Sequence, residues 1–259
     1  MMKFTKDDII TTDKYLNAFP DFYYKTDCFF SESMVWRNKI VTPPPQNLPL
    51  LISGHSDVSI ENYMVDAYNP QIWFSVNNQT TKYHVHSLPL GLTNYTNETD
   101  LHPVYGNCDI LIDVMNETIE KTGLVYMNFN IHTHHERKHV WDLFKDKYWV
   151  NLGEIHNTLD GRKTFLREIK SHHFVLCPRG NGLDTHRLWE TLYMGSIPIV
   201  KRELGYEQFY DLPICFVDNW EDINEQFLEN ERHRILHTNY AMEKLKIGYW
   251  IDKISQFAV

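Results

Sequence analysis

From about residue 124 onward, short apolar runs alternate with longer stretches in which apolar side chains recur every three to four positions. The runs at 124–129, around Val150, at 174–177, 197–200 and 214–217 predict strands, and the periodic stretches 135–148, 162–171, 185–194 and 221–228 predict amphipathic helices between them. Apolar strands separated by helices are the mark of a parallel sheet covered on both faces, because each crossover lays a helix on the sheet and leaves little of it to water. The second half is therefore expected to be a doubly wound α/β unit. The first half carries a looser version: a strand at 48–53, a helix at 60–68, an apolar run at 72–76 and an extended segment at 83–90 that ends in the turn Pro89-Leu90-Gly91. A helix over 109–121 is expected to stop at Gly123, since a glycine past the last turn accepts the left-handed conformation. Pro43, Pro44 and Pro45 form a stiff connector ahead of the first clear strand. The expected organisation is an acceptor-side α/β unit over 1–121 and a nucleotide-binding Rossmann-like unit over 122–239, with a helical tail at 240–259 joined to the first.

Composition sets the outer limits. A chain of 259 residues with 42% hydrophobic and 23% charged positions buries a sizeable core as one large domain or two small ones. Lys plus Arg is 25 against 34 for Asp plus Glu, a formal charge of -9, which excludes nucleic acid as a general electrostatic partner and leaves room only for a local basic pocket. No apolar run approaches the roughly 20 residues of a membrane helix, so no membrane span is expected. The first ten residues, with Lys3, Lys6, Asp7 and Asp8, lack the apolar centre of a secretory signal, and a cytoplasmic protein is expected. Cys28, Cys108, Cys177 and Cys215 include no Cys-x-x-Cys pair; Cys177 and Cys215 lie in apolar runs and read as buried thiols. Asn-x-Thr triplets begin at Asn78, Asn94, Asn97 and Asn116, glycan acceptors in a secreted chain and idle otherwise.

The chemistry concentrates in residues 174–200, FVLCPRGNGLDTHRLWETLYMGSIPIV. The order is strand, glycine-bearing loop, helix, then a Gly-x-x-Pro turn into another strand, and it makes an anion site. Gly180 and Gly182 let the backbone come close to a ligand, and Asp184 or Thr185 caps a helix whose first amides point at the loop. Arg179 and Arg187 add fixed charge in a geometry that matches phosphate oxygens. Glu190, one turn beyond Arg187, is placed to accept ribose hydroxyls. Read without a ligand, the same residues are an ordinary loop followed by an i,i+3 surface pair.

Residues 177–200 resemble the donor-binding segment of exostosin-type glycosyltransferases, in which a Cys-Pro-Arg-Gly loop precedes a helix bearing Arg and Glu and a small-residue turn. The likeness extends more weakly to residues 125–130 with Arg137, similar to the first strand and loop of that nucleotide-binding domain, and to HSLPLGL at 86–92, similar to the exit from the acceptor domain. Together these stretches cover roughly a third to a half of the chain. The resemblance implies a GT-B fold, two Rossmann-like domains facing across a cleft with the N-terminal one reduced. It implies inverting, metal-independent transfer of a sugar from a nucleotide diphosphate sugar to a glycan hydroxyl. Uridine diphosphate is the favoured carrier, a pentose such as xylose is one candidate sugar, and no cofactor beyond the donor is expected. In keeping with that, there is no Asp-x-Asp motif. On this reading Arg137, Arg179 and Arg187 neutralise the departing diphosphate, Gly180, Asn181, Gly182 and Thr185 line it, Glu190 holds the ribose, and Asn130 or Thr133 adds hydrogen bonds.

Transfer by direct displacement needs a base to take the acceptor proton. Asp57 and His55, in the loop after the strand at 48–53, are the candidates, although Asp57 is equally placed to cap the helix that follows. Trp73, Tyr83 and Tyr95 lie near the expected cleft and suit either sugar stacking or core packing; Glu203 and Glu207 border the donor sugar or begin a solvated turn. His135-Glu136-Arg137-Lys138-His139 matches His-Glu-x-x-His, a zinc hydrolase pattern with Glu154 as third ligand, but the charged residues in its middle suit a polar helix start better. A nucleotide-sugar-binding module without catalysis is the other alternative.

Overall fold

The computed structural model describes residues 3–31, 33–95, 99–155 and 157–258. In chain order the elements are α1 (Thr12–Ala18), β1 (Tyr23–Lys25), β2 (Met34–Trp36), β3 (Lys39–Val41), β4 (Leu50–Gly54), α2 (Asn62–Tyr68), β5 (Ile72–Ser75), β6 (Val85–Ser87), α3 (His102–Tyr105) and α4 (Cys108–Asn116). The second half adds β7 (Gly123–Met127), α5 (His135–Phe144), β8 (Val150–Leu152), α6 (Leu159–Ser171), β9 (His172–Leu176), α7 (His186–Tyr193), β10 (Ile197–Lys201), β11 (Cys215–Val217), α8 (Glu225–Leu236) and α9 (Ile247–Ser255).

Two parallel sheets result, one ordered β1-β4-β5-β6 and one ordered β11-β10-β9-β7-β8. The chain is thus α/β, as the apolar runs predict. Alternate residues of each strand face opposite ways, and the burial follows. In the second sheet Val125, Met127, Phe174, Leu176, Ile197 and Ile199 pack with Val140 and Phe144 of α5 and Leu228 and Ile235 of α8. Their neighbours Tyr126, Val175 and Val200 face the other way, onto Leu166 and Ile169 of α6 and Leu188 and Leu192 of α7. The first sheet repeats this: Leu51, Trp73 and Val85 pack with Met64 and Val65 of α2, while Leu50, Ile52 and Phe74 join the same core as α6 and α7. One core therefore runs through both halves.

Several expectations are corrected. The helix expected at 109–121 is α4, which starts one residue earlier, at Cys108, and ends at Asn116 with Glu117 extended; the single turn of α3 precedes it. Gly123 is the first residue of β7, not a cap. It sits where a Cβ would fall 2.0 Å from the His172 ring. The segment between is drawn straight because the half-buried Lys121 ammonium donates to the carbonyls of Lys170 and His172 and to Ser196 Oγ. The strand at 48–53 is not the first of its sheet: β1, ahead of the proline connector, pairs in parallel with β4. The tail is a 3-10 turn followed by α9, whose Trp250 packs on Phe209. Beyond α9, Phe257 meets Phe74, so the tail binds both halves. α4, from the first half, packs on α6 of the second through Leu111 and Val114. Among the described residues no helix is long and apolar enough to cross a membrane.

Candidate functional site

In the second sheet β7 lies between β8 and β9, so the chain leaves β7 to one side and returns on the other. At such a reversal the loops leaving the two strands part and open a crevice at their carboxyl ends, where α/β folds take their ligands. A cavity of about 490 Å3 occupies this place. Its walls are the loop after β7 with Asn128, Asn130 and Thr133, the loop after β9 with Gly180, Asn181 and Gly182, and the facing sides of α5, α6 and α7. The first sheet closes it from across with Asp57 and Leu90. The volume suits a ligand of nucleotide size.

Most of the residues expected from sequence meet here. Arg137, Gly180, Asn181, Gly182, Thr185, Arg187, Glu190 and Asp57 all line the cavity, as do Asn130 and Thr133. Arg137 is anchored by its Nε, which donates to Arg179 O at 2.9 Å, and burial pushes its guanidinium down to about 10, still charged at neutral pH. Gly180 makes room for it: a Cβ there would lie 3.1 Å from Arg137 Nη2. Gly182 plays the same part between the halves, with Asp57 Oδ1 at 3.1 Å and Asn77 Nδ2 at 3.0 Å from where its Cβ would be. Asp57 is not a helix cap, since the position before α2 belongs to Glu61. It is exposed within the cavity wall.

The helix cap is arranged differently from the expectation. Thr185 occupies the N-cap position of α7, yet its hydroxyl makes no capping bond and is buried without a partner among the described residues. The Asp184 carboxylate accepts three N–H groups instead: Leu90 N at 2.8 Å, Thr185 N at 2.8 Å and the Trp189 indole at 2.8 Å. Its own N–H donates to Asn77 Oδ1 at 2.8 Å. Asp184 is therefore a clasp between the halves, and burial pushes its carboxyl up to about 7 against the three donors that hold the charged form.

Other expected residues stand apart. Arg179 faces a small side crevice with Glu136, Lys201 and Glu203, and its Nη2 donates to Asn181 O at 3.2 Å. His55 does not line the cavity; Nδ1 is 2.6 Å from the Tyr23 hydroxyl and Nε2 is 2.7 Å from Asp13 Oδ1. Its backbone is left-handed, with φ at 55°. Trp73 is fully buried with its indole on Ser53 Oγ, Tyr83 and Tyr95 are exposed away from the cavity, and neither Glu203 nor Glu207 reaches it. In the His-Glu-x-x-His stretch, His139 turns to Glu221 at 2.7 Å while Glu136 accepts from Arg179 N. No three His, Cys, Asp or Glu side chains gather as a metal site among the described residues. Asn78 and Asn94 are buried, the latter bonded to Asp13 N and Thr12 Oγ1; Asn116 is exposed and Asn97 lies outside the described residues. All four cysteines are free, with Cys177 and Cys215 buried and their thiols pushed up to about 12.

Among the cavity residues that went unforeseen are Arg162, Phe165 and Tyr105. Arg162 is 1% exposed and faces Glu190, 4% exposed, with Nη1 2.6 Å from Oε1 but too poorly aligned for a hydrogen bond. Its guanidinium lies over the Tyr105 and Phe165 rings at 5.7 and 5.5 Å, and Arg187 lies over Phe165 at 5.2 Å. Arg162 Nε and Nη2 and Arg187 Nε are buried without acceptors among the described residues. A buried donor left unpaired costs about 1–3 kcal/mol, more when charged, so this side of the cavity holds unmet hydrogen-bonding capacity. No family model matches the chain, and the comparison with curated proteins gives no match.

Proposed function

We propose that the chain is a glycosyltransferase of GT-B architecture, exostosin-like, that binds a nucleotide diphosphate sugar in this cavity and transfers the sugar to a glycan hydroxyl with inversion. The observation that carries the reading is that buried, unpartnered donors line one side of the cavity: Thr185 Oγ1 and Arg187 Nε at the start of α7, and the Arg162 guanidinium farther along, beside Glu190. The first turn of a helix adds free amides and the positive end of its dipole, a combination that selects phosphate. Opposite stands Asp57, a carboxylate on the other half of the molecule.

In the reaction, charge grows on the diphosphate as the bond from the anomeric carbon to its oxygen breaks. Arg137 and Arg187 are fixed beside that position and stabilise the charge without reorganising, which is the largest electrostatic contribution available. Asp57 accepts the proton of the acceptor hydroxyl as its oxygen attacks the opposite face of the anomeric carbon. His55, held between Tyr23 and Asp13, fixes the loop that carries Asp57. Uridine diphosphate is the favoured carrier on the strength of the resemblance alone.

Calorimetric titration of the chelator-treated protein with UDP, GDP and ADP tests this. One of them is expected to bind, and Arg187→Ala is expected to weaken it about 10- to 100-fold, the worth of one charge-assisted contact. Binding of none, or equal binding by the variant, would overturn the donor-site assignment.

A further inference from the structure

Arg162 and Glu190 are both more than nine-tenths buried, and both line the cavity. Arg162 Nη1 comes to 2.6 Å from Glu190 Oε1 without the alignment of a hydrogen bond, so none of Nε, Nη1 and Nη2 has an acceptor among the described residues. A buried ion pair stabilises only when its remaining hydrogen-bonding groups are satisfied, and here the donors on Arg162 are not. The guanidinium is nevertheless held in place by the Tyr105 and Phe165 rings. A fixed fork of donors beside a carboxylate acceptor matches a ligand group that both accepts and donates at adjacent atoms. A vicinal diol does so: each hydroxyl oxygen accepts from the guanidinium while its proton goes to the carboxylate.

Position narrows the diol further. Glu190 follows Thr185 by five residues, about 7.5 Å along the α7 axis. A 5′-phosphate seated at the start of α7 brings its own ribose hydroxyls over that distance. Resting on the reading of the cavity as a nucleotide site, in which the resemblance already gives Glu190 the ribose, we propose that Arg162 completes the clamp on the ribose cis-diol. Arg162 then determines specificity for ribonucleotides over deoxyribonucleotides.

The test is calorimetric titration with UDP, GDP and ADP, each paired with its 2′-deoxy counterpart. For the base that binds, the ribose form is expected to bind about 10- to 100-fold more tightly than the deoxy form, since loss of the hydroxyl strands buried polar groups. Arg162→Lys is expected to cut that ratio several-fold, in the wild type and equally in the Glu190→Gln background. A ratio near one in the wild-type protein overturns the clamp. So does a ratio that Arg162→Lys leaves unchanged, or that it changes only when Glu190 is intact, the sign that Arg162 merely supports Glu190. Melting temperatures verify folding, and if Arg162→Lys does not fold, the double variant Arg162→Gln/Glu190→Gln, which replaces the ion pair by two neutral amides, takes its place with the same expected loss of ratio. Failure of the wild type to bind any of the six nucleotides is a different result: it removes the nucleotide reading itself.

Discussion

At the scale of single residues, two carboxylates on the cavity wall have opposite circumstances. Asp57 is exposed and free of the clasp, and the proposed mechanism asks it only to accept a proton. Asp57→Asn is expected to lower turnover by about 100-fold or more while donor affinity stays within about twofold, as general-base removal does; a variant with unchanged turnover moves the base elsewhere. Asp184 is 6% exposed, and its carboxyl is raised from 3.8 to about 7. A carboxyl raised in the folded state binds its proton more tightly there than in the unfolded chain. Its contribution is therefore greatest below about pH 4 and is lost as pH rises to about 7. Asp184→Asn does not titrate. The stability gap between wild type and Asp184→Asn, measured by urea unfolding, is expected to narrow by about 2–4 kcal/mol between pH 4 and pH 7. A constant or widening gap shows that the three N–H donors outweigh burial.

At the scale of elements, the ends of helices and turns show how local conformation and surroundings combine. Gly195, just past α7, and Gly91, after β6, share a left-handed backbone with φ at 69° and 70°. A Cβ on Gly195 meets nothing, whereas one on Gly91 lies 2.2 Å from the Ile10 carbonyl oxygen. Gly195→Ala is expected to cost about 1 kcal/mol, the backbone strain alone. Gly91→Ala is expected to cost about 3 kcal/mol or more, because main chain must move; similar melting temperatures for the two would refute this account. The elements themselves were legible where the apolar period was long: α5, α6, α7 and the strands β7, β9 and β10 fall where the pattern places them. β1 is three residues long, too short to show a period, and nothing in the local pattern around Gly123 shows that Lys121 ties the segment to the carbonyls at the end of α6. Arg162 was legible in principle. With Leu166 and Ile169 it forms the buried stripe of α6, so a charge stood on the apolar face of an amphipathic helix, a conflict that marks a site. Arg179 was misplaced for the converse reason: loop spacing says that a side chain is near a ligand and says nothing of which way it turns.

At the scale of the whole molecule, the question is whether the cleft opens. Its two walls belong to different sheets, but the sheets share one core, to which Ile10, Phe74, Leu166, Trp189 and Trp250 all contribute. Polar contacts reinforce it at separate places. The Tyr193 hydroxyl accepts from Ile10 N and donates to Leu245 O, both at 3.0 Å, and Asp184 joins Leu90 to α7. Domains that move relative to one another meet through small, polar interfaces; a shared apolar core resists shear because close-packed side chains have few alternative arrangements. On the proposed reading the cavity is thus preformed, and nucleotide binding is expected to leave the two halves in place. Two outcomes are expected. Thermal unfolding shows a single transition that shifts upward with bound nucleotide. The radius of gyration, about 18 Å for a compact chain of this length, changes by less than about 1 Å on saturation with the nucleotide that binds, as measured by small-angle X-ray scattering. Two resolved transitions, or a contraction of several ångströms, would show instead that the halves part along the Asp184 clasp and that closure is a step of the cycle.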